Sequence, residues 1–221
     1  MNRKYIVYSL LAVSAAAFAV AAAALVVAGA YLTSDQPDDV VTDNQDALVR
    51  PRSPAVGEPG APVTIVEFMD PSCEACRAFF PVVKGLLASY PNDVRLVLRY
   101  APFHAGSEEA VRVIEASRKQ GKFDEMLQAI FTHQPEWAAH DSPILKTPWD
   151  IANEHGLNVN AAKADAYSDE ITAMLTQDRR DGRTLKIDQT PTFFVNGKPL
   201  GEFGVRQLQD FVQREVEATR K

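Results

Sequence analysis

The sequence predicts an α/β domain with a central mixed β-sheet and a helical insertion, preceded by an N-terminal apolar segment and a flexible linker. Three observations support this: an uncharged N-terminal stretch, two β-rich runs flanking a helical pattern, and a return to β-rich sequence after a long helical region. Composition is ordinary for a globular protein, with 46% hydrophobic and 24% charged residues. Residues 61–221 are long enough to form one domain with its own core.

The first element is a signal anchor or signal peptide over residues 1–32. Arg3 and Lys4 precede an uncharged run, residues 5–32, which as a helix is long enough to span a bilayer of about 30 Å. Positive charge before the run and Asp35 after it predict a cytoplasmic N-terminus and an exported remainder. A buried core helix does not suit this position and flanking pattern.

A small-residue motif near the end of this segment leaves two outcomes open. Ala28-Gly29-Ala30 fits a processing site, whereas a cleaved signal usually has an apolar region of only about 7–15 residues. We expect a single-pass transmembrane anchor that holds the domain on the periplasmic, extracytoplasmic side of a bacterial inner membrane. The alternative is secretion to the periplasm after cleavage near Ala30.

The linker and the net charge limit the partners of the chain. Residues 33–60 contain Asp, Pro, Gly, Ser and Asn with little hydrophobic periodicity, which is typical of a flexible tether. They show no heptad repeat that would build a dimerisation stalk, so we expect a monomer. A net charge of −6 without a cluster of Lys or Arg argues against nucleic acid as a partner.

The domain opens with a strand, helix, strand unit. Residues 63–69 are apolar on both faces and predict a central buried strand. A helix is expected from Cys73 to about Tyr90, and residues 94–100 predict a second strand that lies parallel to the first. Helical periodicity then dominates residues 105–184, which predicts an insertion of about four helices.

Both cysteines of the chain lie in one motif, Cys73-Glu74-Ala75-Cys76, between the first strand and the helix. There the unpaired amides and the dipole of the helix N-terminus favour a thiolate at the first sulfur. Cys73 is therefore the predicted nucleophile, and Cys76, one turn later, is the predicted resolving cysteine of a redox pair. Such a pair requires no dissociable cofactor.

A zinc or copper site is the alternative interpretation of the two cysteines. The motif supplies only two ligands, and the four histidines, His104, His133, His140 and His155, do not form a metal-finger spacing around it. We therefore expect a redox pair and predict no metal ligand. A copper- or zinc-binding module, or a chaperone-like protein with a structural disulfide, remains a competing function.

Glu67 is an acid within the first hydrophobic strand, six residues before Cys73. A buried acid is costly unless it has a task, and its same-face neighbours Ile65 and Met69 disfavour an exposed strand face. We predict that Glu67 accepts the proton of Cys76 through water.

A third strand is predicted over residues 192–196, and an amphipathic helix from about residue 204 to residue 220 follows it. Thr190 and Pro191 precede this strand. A proline entering a buried strand invites a cis peptide that leaves its neighbour's backbone free to face a substrate. Considered alone, however, an X-Pro bond is more often trans, so the residues themselves leave the isomer open.

Two motifs carry a family resemblance. Residues 57–76 resemble the opening of DsbA-like thioredoxin-fold proteins, and residues 190–197 resemble their cis-proline strand and hairpin. The helical insertion and the tract 101–104 also fit this family, so that the resemblance covers about residues 55–220. It implies a thioredoxin fold and a thiol–disulfide oxidoreductase that acts on cysteines of exported proteins, with a membrane or periplasmic redox partner.

The resemblance also implies roles for individual residues. It implies that Pro191 is cis, that Thr190 and Pro191 border the substrate groove beside Cys73, and that Glu67 is the buried acid. Glu74 and Ala75, between the cysteines, are expected to contact substrate as well.

The dipeptide between the cysteines departs from the family, because many strong oxidases carry Pro-His where this chain has Glu74-Ala75. A carboxylate beside the nucleophile disfavours its thiolate, which predicts a weaker oxidant than typical DsbA proteins. If Glu74 points into solvent, screening makes this effect small. The sequence does not distinguish among oxidase, reductase and isomerase activity.

Overall fold

The computed structural model describes residues 45–138 and 143–220. The predicted signal anchor, residues 1–32, and the first part of the predicted linker, residues 33–44, lie outside the described residues. Within the described ranges, no helix has the length and apolar character needed to cross a membrane.

Five strands form one sheet in the order β1-β3-β2-β4-β5. The strands are β1 Ala55–Val56, β2 Val63–Met69, β3 Val94–Tyr100, β4 Thr192–Val195 and β5 Lys198–Pro199. β2 and β3 are parallel, whereas β1 with β3, β2 with β4 and β4 with β5 are antiparallel. The predicted mixed sheet, with its parallel strand, helix, strand unit, is therefore confirmed.

Nine α-helices surround the sheet within the described residues. They are α1 Gln45–Leu48, α2 Glu74–Ser89, α3 Ser107–Ser117, α4 Phe123–Thr132, α5 Gln134–Trp137, α6 Pro148–Glu154, α7 Val159–Ala166, α8 Asp169–Thr184 and α9 Val205–Thr219. The insertion between β3 and β4 contains six of them, more than the four or so expected. Several are short, and side-chain caps such as those of Thr147, Asn158 and Ser168 start new helices where periodicity alone predicts fewer.

The two faces of the sheet bury different parts of the chain. Ile65 and Met69 face the larger core, which also contains both cysteines and the apolar sides of α2 and the insertion. Val66 and Phe68 point to the opposite face, where they pack with residues of α1 and β4. This alternation along β2 follows from the two-residue repeat of a strand and puts the motif on the larger core.

The ordered fold begins before the predicted boundary at residue 61. Leu48 of α1 is buried in the smaller core with Val66 and Phe68, and β1 pairs with β3. A four-residue helix and a two-residue strand are too short to produce a recognisable periodicity, so the sequence pattern indicates a tether where packing orders the chain.

Arg99, on β3, is fully buried and ties α1 and α8 to the sheet. Its guanidinium donates to Asp178 Oδ1 at 2.9 Å, to Asp181 Oδ2 at 2.5 Å and to the Leu48 carbonyl at 2.9 Å. Arg99 is thus the cation that pairs with Asp178, and it shares Asp181 with Arg50.

We expect Arg99→Met to lower the free energy of unfolding by about 3–5 kcal/mol, because it leaves the buried Asp178 carboxylate without its cation. Urea unfolding followed by circular dichroism measures this. Arg180→Met, at an exposed position of α8, is the matched control and is expected to change stability by less than about 0.5 kcal/mol. Equal effects of the two substitutions would contradict the assignment.

Candidate active site

Cys73 lies at the N-terminus of α2, as predicted. The helix begins one residue later than expected, at Glu74, and Cys73 is its extended N-cap residue. Cys73 is 8% exposed, whereas Cys76, in the first turn, is fully buried. A partner molecule therefore reaches the first sulfur and not the second.

The surroundings of Cys73 favour its thiolate and lower its pKa to about 5. The hydrogen bond from the Cys76 side chain has the largest effect, and it outweighs the opposing effect of burial. The Thr190 side chain and the backbone amides of Cys76 and Ala75 lower the pKa further. In the thiol form, Cys73 Sγ donates to the Thr190 carbonyl oxygen at 3.2 Å.

Cys76 has the opposite character. Burial raises its pKa well above the ordinary value, and the hydrogen bond to Cys73 and the charge of Glu67 raise it further. The Asp70 amide, 3.5 Å from Cys76 Sγ, counteracts this in part. At neutral pH the pair thus consists of one thiolate and one thiol, a division that suits sequential attack.

Glu67 is buried, with 5% of its surface exposed, and it shares the β2 face of Met69. Burial, together with the negative charge of Cys73, raises its pKa to about 8. Glu67 also lines a cavity of about 250 Å³, whose other walls are mostly apolar side chains such as Phe80 and Leu87. The predicted burial is confirmed, and the cavity is large enough for water.

The remaining predicted positions lie on both sides of the nucleophile. The Thr190–Pro191 peptide is cis, as the resemblance implies, and Thr190 contacts Cys73 through its carbonyl. Glu74 is exposed and Ala75 is half-buried. Since an exposed carboxylate is screened by solvent, Glu74 does not prevent the low pKa of Cys73.

The sequence interpretation misses Asp70, a fully buried acid at the end of β2. Its carboxylate accepts hydrogen bonds from the amides of Ser72, Phe103 and His104 at 2.8, 2.7 and 3.0 Å, and it contacts the Ser107 hydroxyl. It therefore joins the loop before Cys73 to the loop after β3. The sequence feature that could have indicated Asp70 is a charged residue directly after a hydrophobic strand and directly before Pro71.

Gln134, at the start of α5, is a second residue that the sequence interpretation misses. Its side-chain amide donates to the carbonyls of Pro71 and Cys73 at 2.7 and 2.9 Å. The helical insertion thus holds the loop that carries the nucleophile. Nothing in the local sequence of Gln134 indicates this long-range contact.

We expect Gln134→Leu to destabilise the chain by about 1–3 kcal/mol, because the Pro71 carbonyl loses its donor while the Cys73 carbonyl keeps only the Arg77 amide. Urea unfolding is the measurement. Gln128→Leu, an exposed position of α4 that bonds only Lys84 in the described residues, is the control and is expected to stay within about 0.5 kcal/mol of the parent. A Gln134→Leu chain as stable as this control would contradict the clamping role.

These features define a class: a thioredoxin-fold protein with a dithiol pair at a helix N-terminus and a cis-proline loop against the first sulfur. A thioredoxin family model matches residues 50–214. A solved thioredoxin-like oxidoreductase from Silicibacter pomeroyi DSS-3 is 34% identical, with a TM-score of 0.66, over 77% of this chain and 96% of that chain. The chain belongs to the thioredoxin family.

Other similar proteins share the fold or match part of a longer protein. The solved thiol-disulfide exchange protein alpha-DsbA2 from Wolbachia pipientis has a TM-score of 0.68 at 20% identity, over 80% of this chain and 95% of that chain. The Na(+)/H(+) antiporter NhaA 1 of Mycobacterium sp. (strain KMS) is 30% identical over 160 residues, which cover 68% of this chain and 25% of the antiporter. The chain spans about a quarter of the length of the curated relatives that it matches.

Proposed function

We propose that this chain exchanges disulfides in exported proteins, with Cys73 as nucleophile and Cys76 as resolving cysteine. The observation that carries the proposal is the division of the pair into a partly exposed thiol of low pKa and a buried thiol of high pKa. Only the first is positioned and ionised to attack a partner, and only the second is protected from it.

In the reducing direction, the Cys73 thiolate attacks one sulfur of a substrate disulfide and forms a mixed disulfide, while the other substrate sulfur leaves as a thiolate. Cys76 then loses its proton and attacks Cys73 Sγ. The substrate leaves as a dithiol, and the chain retains a Cys73–Cys76 disulfide, so that two electrons pass to the substrate. The same steps in reverse oxidise a substrate dithiol.

Glu67 is proposed to move the Cys76 proton through water in the adjoining cavity. Its pKa of about 8 lies near the operating pH, where a group gives and takes protons most effectively. In the reducing direction the carboxylate accepts the proton of Cys76. In the oxidising direction the neutral acid returns a proton to the departing Cys76 thiolate.

The substrate chain is proposed to dock along Thr190 and Pro191, with Glu74 and Ala75 on the other side of Cys73. An exposed aromatic side chain near the cysteines favours a protein as the substrate. Phe203 is 52% exposed, and its ring packs against that of Phe79 with the ring centroids 4.9 Å apart. Phe79 lies one helical turn beyond Cys76. Aromatic side chains of this kind dominate contacts with protein partners.

The proposed location is the periplasmic side of the inner membrane, with residues 1–32 as anchor and a membrane or periplasmic redox partner. The apolar run and its flanking charges support this location. Protein thiols and disulfides exposed on that side are the proposed substrates.

The reduction potential tests the function and its direction. A pKa of about 5 for Cys73 lies between the values of about 7 for thioredoxin and about 3.5 for DsbA. Equilibration of the full chain, in detergent, with glutathione is therefore expected to give a potential between about −270 and about −120 mV. A potential above about −120 mV would contradict the proposed weaker oxidant.

Glu74→Ala tests the dipeptide in the same titration. Because Glu74 is exposed, its removal is expected to shift the potential in the oxidising direction by less than about 15 mV, the equivalent of half a pKa unit. The control is Glu58→Ala, an exposed acid outside the motif, which is expected to leave the potential unchanged. A large reducing shift on Glu74→Ala would contradict the effect assigned to this charge.

A further inference from the structure

His133 and His155 face each other between two helices of the insertion. His133 follows α4 and His155 follows α6, and their Nε2 atoms are 3.3 Å apart. The ring planes are inclined by 62°, with centroids 5.3 Å apart. The His133 side chain is 26% exposed and His155 is half-buried, so both residues are partly open to solvent.

The distance between the two nitrogens is that of two ligands on one metal ion. Zinc binds imidazole nitrogen at about 2.0–2.1 Å with tetrahedral angles, which separates two such nitrogens by about 3.3 Å. The two nitrogens also lie within hydrogen-bond distance of each other, so the rings share one proton between them. A separation of 3.3 Å therefore allows one cation to take the place of that proton.

A carboxylate already orients the first imidazole. His133 Nδ1 lies 2.5 Å from Glu136 Oε1, and Lys146 Nζ holds the other oxygen of Glu136 at 2.9 Å. Donation from Nδ1 to the carboxylate leaves the Nε2 lone pair of His133 available, either to accept the His155 Nε2–H or to bind a cation. Metal-binding histidines characteristically donate their second nitrogen to such a carboxylate, which also raises their basicity.

We propose that His133 and His155 bind one divalent transition-metal ion of the zinc class through their Nε2 atoms, with water completing the coordination. Imidazole nitrogen is a preferred ligand of Zn²⁺, Ni²⁺ and Cu²⁺. In the described part of the chain, no group of three His, Cys, Asp or Glu side chains is arranged to hold a metal. Two protein ligands make the proposed ion exchangeable and solvent-accessible, unlike a closed structural site.

The proposed metal site is separate from the cysteine pair but adjoins its support. Gln134, which directly follows His133, donates to the carbonyls of Pro71 and Cys73. Because cysteine thiolates are in general ligands of zinc, binding at the cysteine pair has to be distinguished from binding at the histidines in the experiment.

The test is a calorimetric titration of Zn²⁺ into the full chain, untagged and with Cys73 and Cys76 joined as a disulfide. One bound ion per chain is expected. His133→Ala and His155→Ala are each expected to weaken binding at least about tenfold, and Glu136→Gln about tenfold through the loss of orientation. His104→Ala, which removes a half-exposed histidine held by Asp70, is the matched control and is expected to leave the affinity within twofold.

Nitrogen-detected magnetic resonance of the histidine rings in the unsubstituted chain gives a reading that does not depend on variant folding. Zn²⁺ is expected to move the Nε2 signals of His133 and His155 and to leave those of His104 in place. Absence of binding, binding that survives both alanine substitutions in folded chains, or unmoved signals from the two histidines would each overturn the proposal.

Discussion

Replacing Cys73 with serine is expected to reduce disulfide exchange at least about a thousandfold, because a serine hydroxyl neither ionises near neutral pH nor forms a mixed disulfide. Reduction of insulin by the full chain, with dithiothreitol as electron donor, is the measurement. Of the two cysteines, only Cys73 is partly exposed and has a lowered pKa.

Cys76→Ser provides the matched control for this prediction. It retains the nucleophile but removes the resolving thiol, so a stable Cys73 mixed disulfide with substrate is expected to accumulate and to be visible by mass spectrometry. Mixed disulfides that accumulate on Cys73→Ser through Cys76 instead would reverse the assigned roles.

The second large effect is expected from Glu67→Gln. Glutamine has nearly the same shape but carries no proton to exchange, so the step in which Cys76 gains or loses its proton is expected to slow about a hundredfold at pH 7. Single-turnover kinetics separate this step from the first attack on substrate. Attack by Cys73 is expected to change little, and equal slowing of both steps would contradict a role confined to Cys76.

The pH dependence of the free energy of unfolding gives an independent measure of the Glu67 pKa. The folded-state pKa of Glu67 is raised to about 8 from 4.5, so the folded chain retains a proton that the unfolded chain loses. Its contribution to stability is therefore full below about pH 4.5 and declines as the pH rises through 8. Glu67→Gln removes this decline, and we expect the reduced variant to be more stable than its parent by roughly 3 kcal/mol at pH 7 but by less than about 1 kcal/mol at pH 5.

Urea unfolding of the reduced chains at the two pH values measures this difference. Glu58→Gln changes an exposed acid and is expected to show no such dependence on pH. A Glu67→Gln chain whose stability relative to the parent is the same at pH 5 and pH 7 would show that Glu67 has an ordinary pKa.

The sequence correctly predicts the structure of those segments whose residues form a strong local pattern. The apolar run of β2 identifies a buried strand, and the position of Cys73 between that strand and a helix predicts a sulfur at a helix N-terminus. Glu67 is recognisable as a buried acid because the strand around it is hydrophobic on both faces. The cis form of Pro191, by contrast, follows from resemblance and not from the local residues, since an X-Pro bond alone favours trans.

The sequence by itself thus determined the central strands β2, β3 and β4, the position of the cysteine motif and the buried acid, because hydrophobic periodicity and helix-terminus signals each depend on only a few neighbouring residues. Only the tertiary structure decided which distant groups complete the site. Gln134 lies 61 positions from Cys73 and bonds its carbonyl, and His133 meets His155 across 22 positions. Such contacts depend on how the helices pack and not on any local sequence pattern. The short elements α1 and β1 likewise became evident only in the folded chain, because packing and not periodicity defines them.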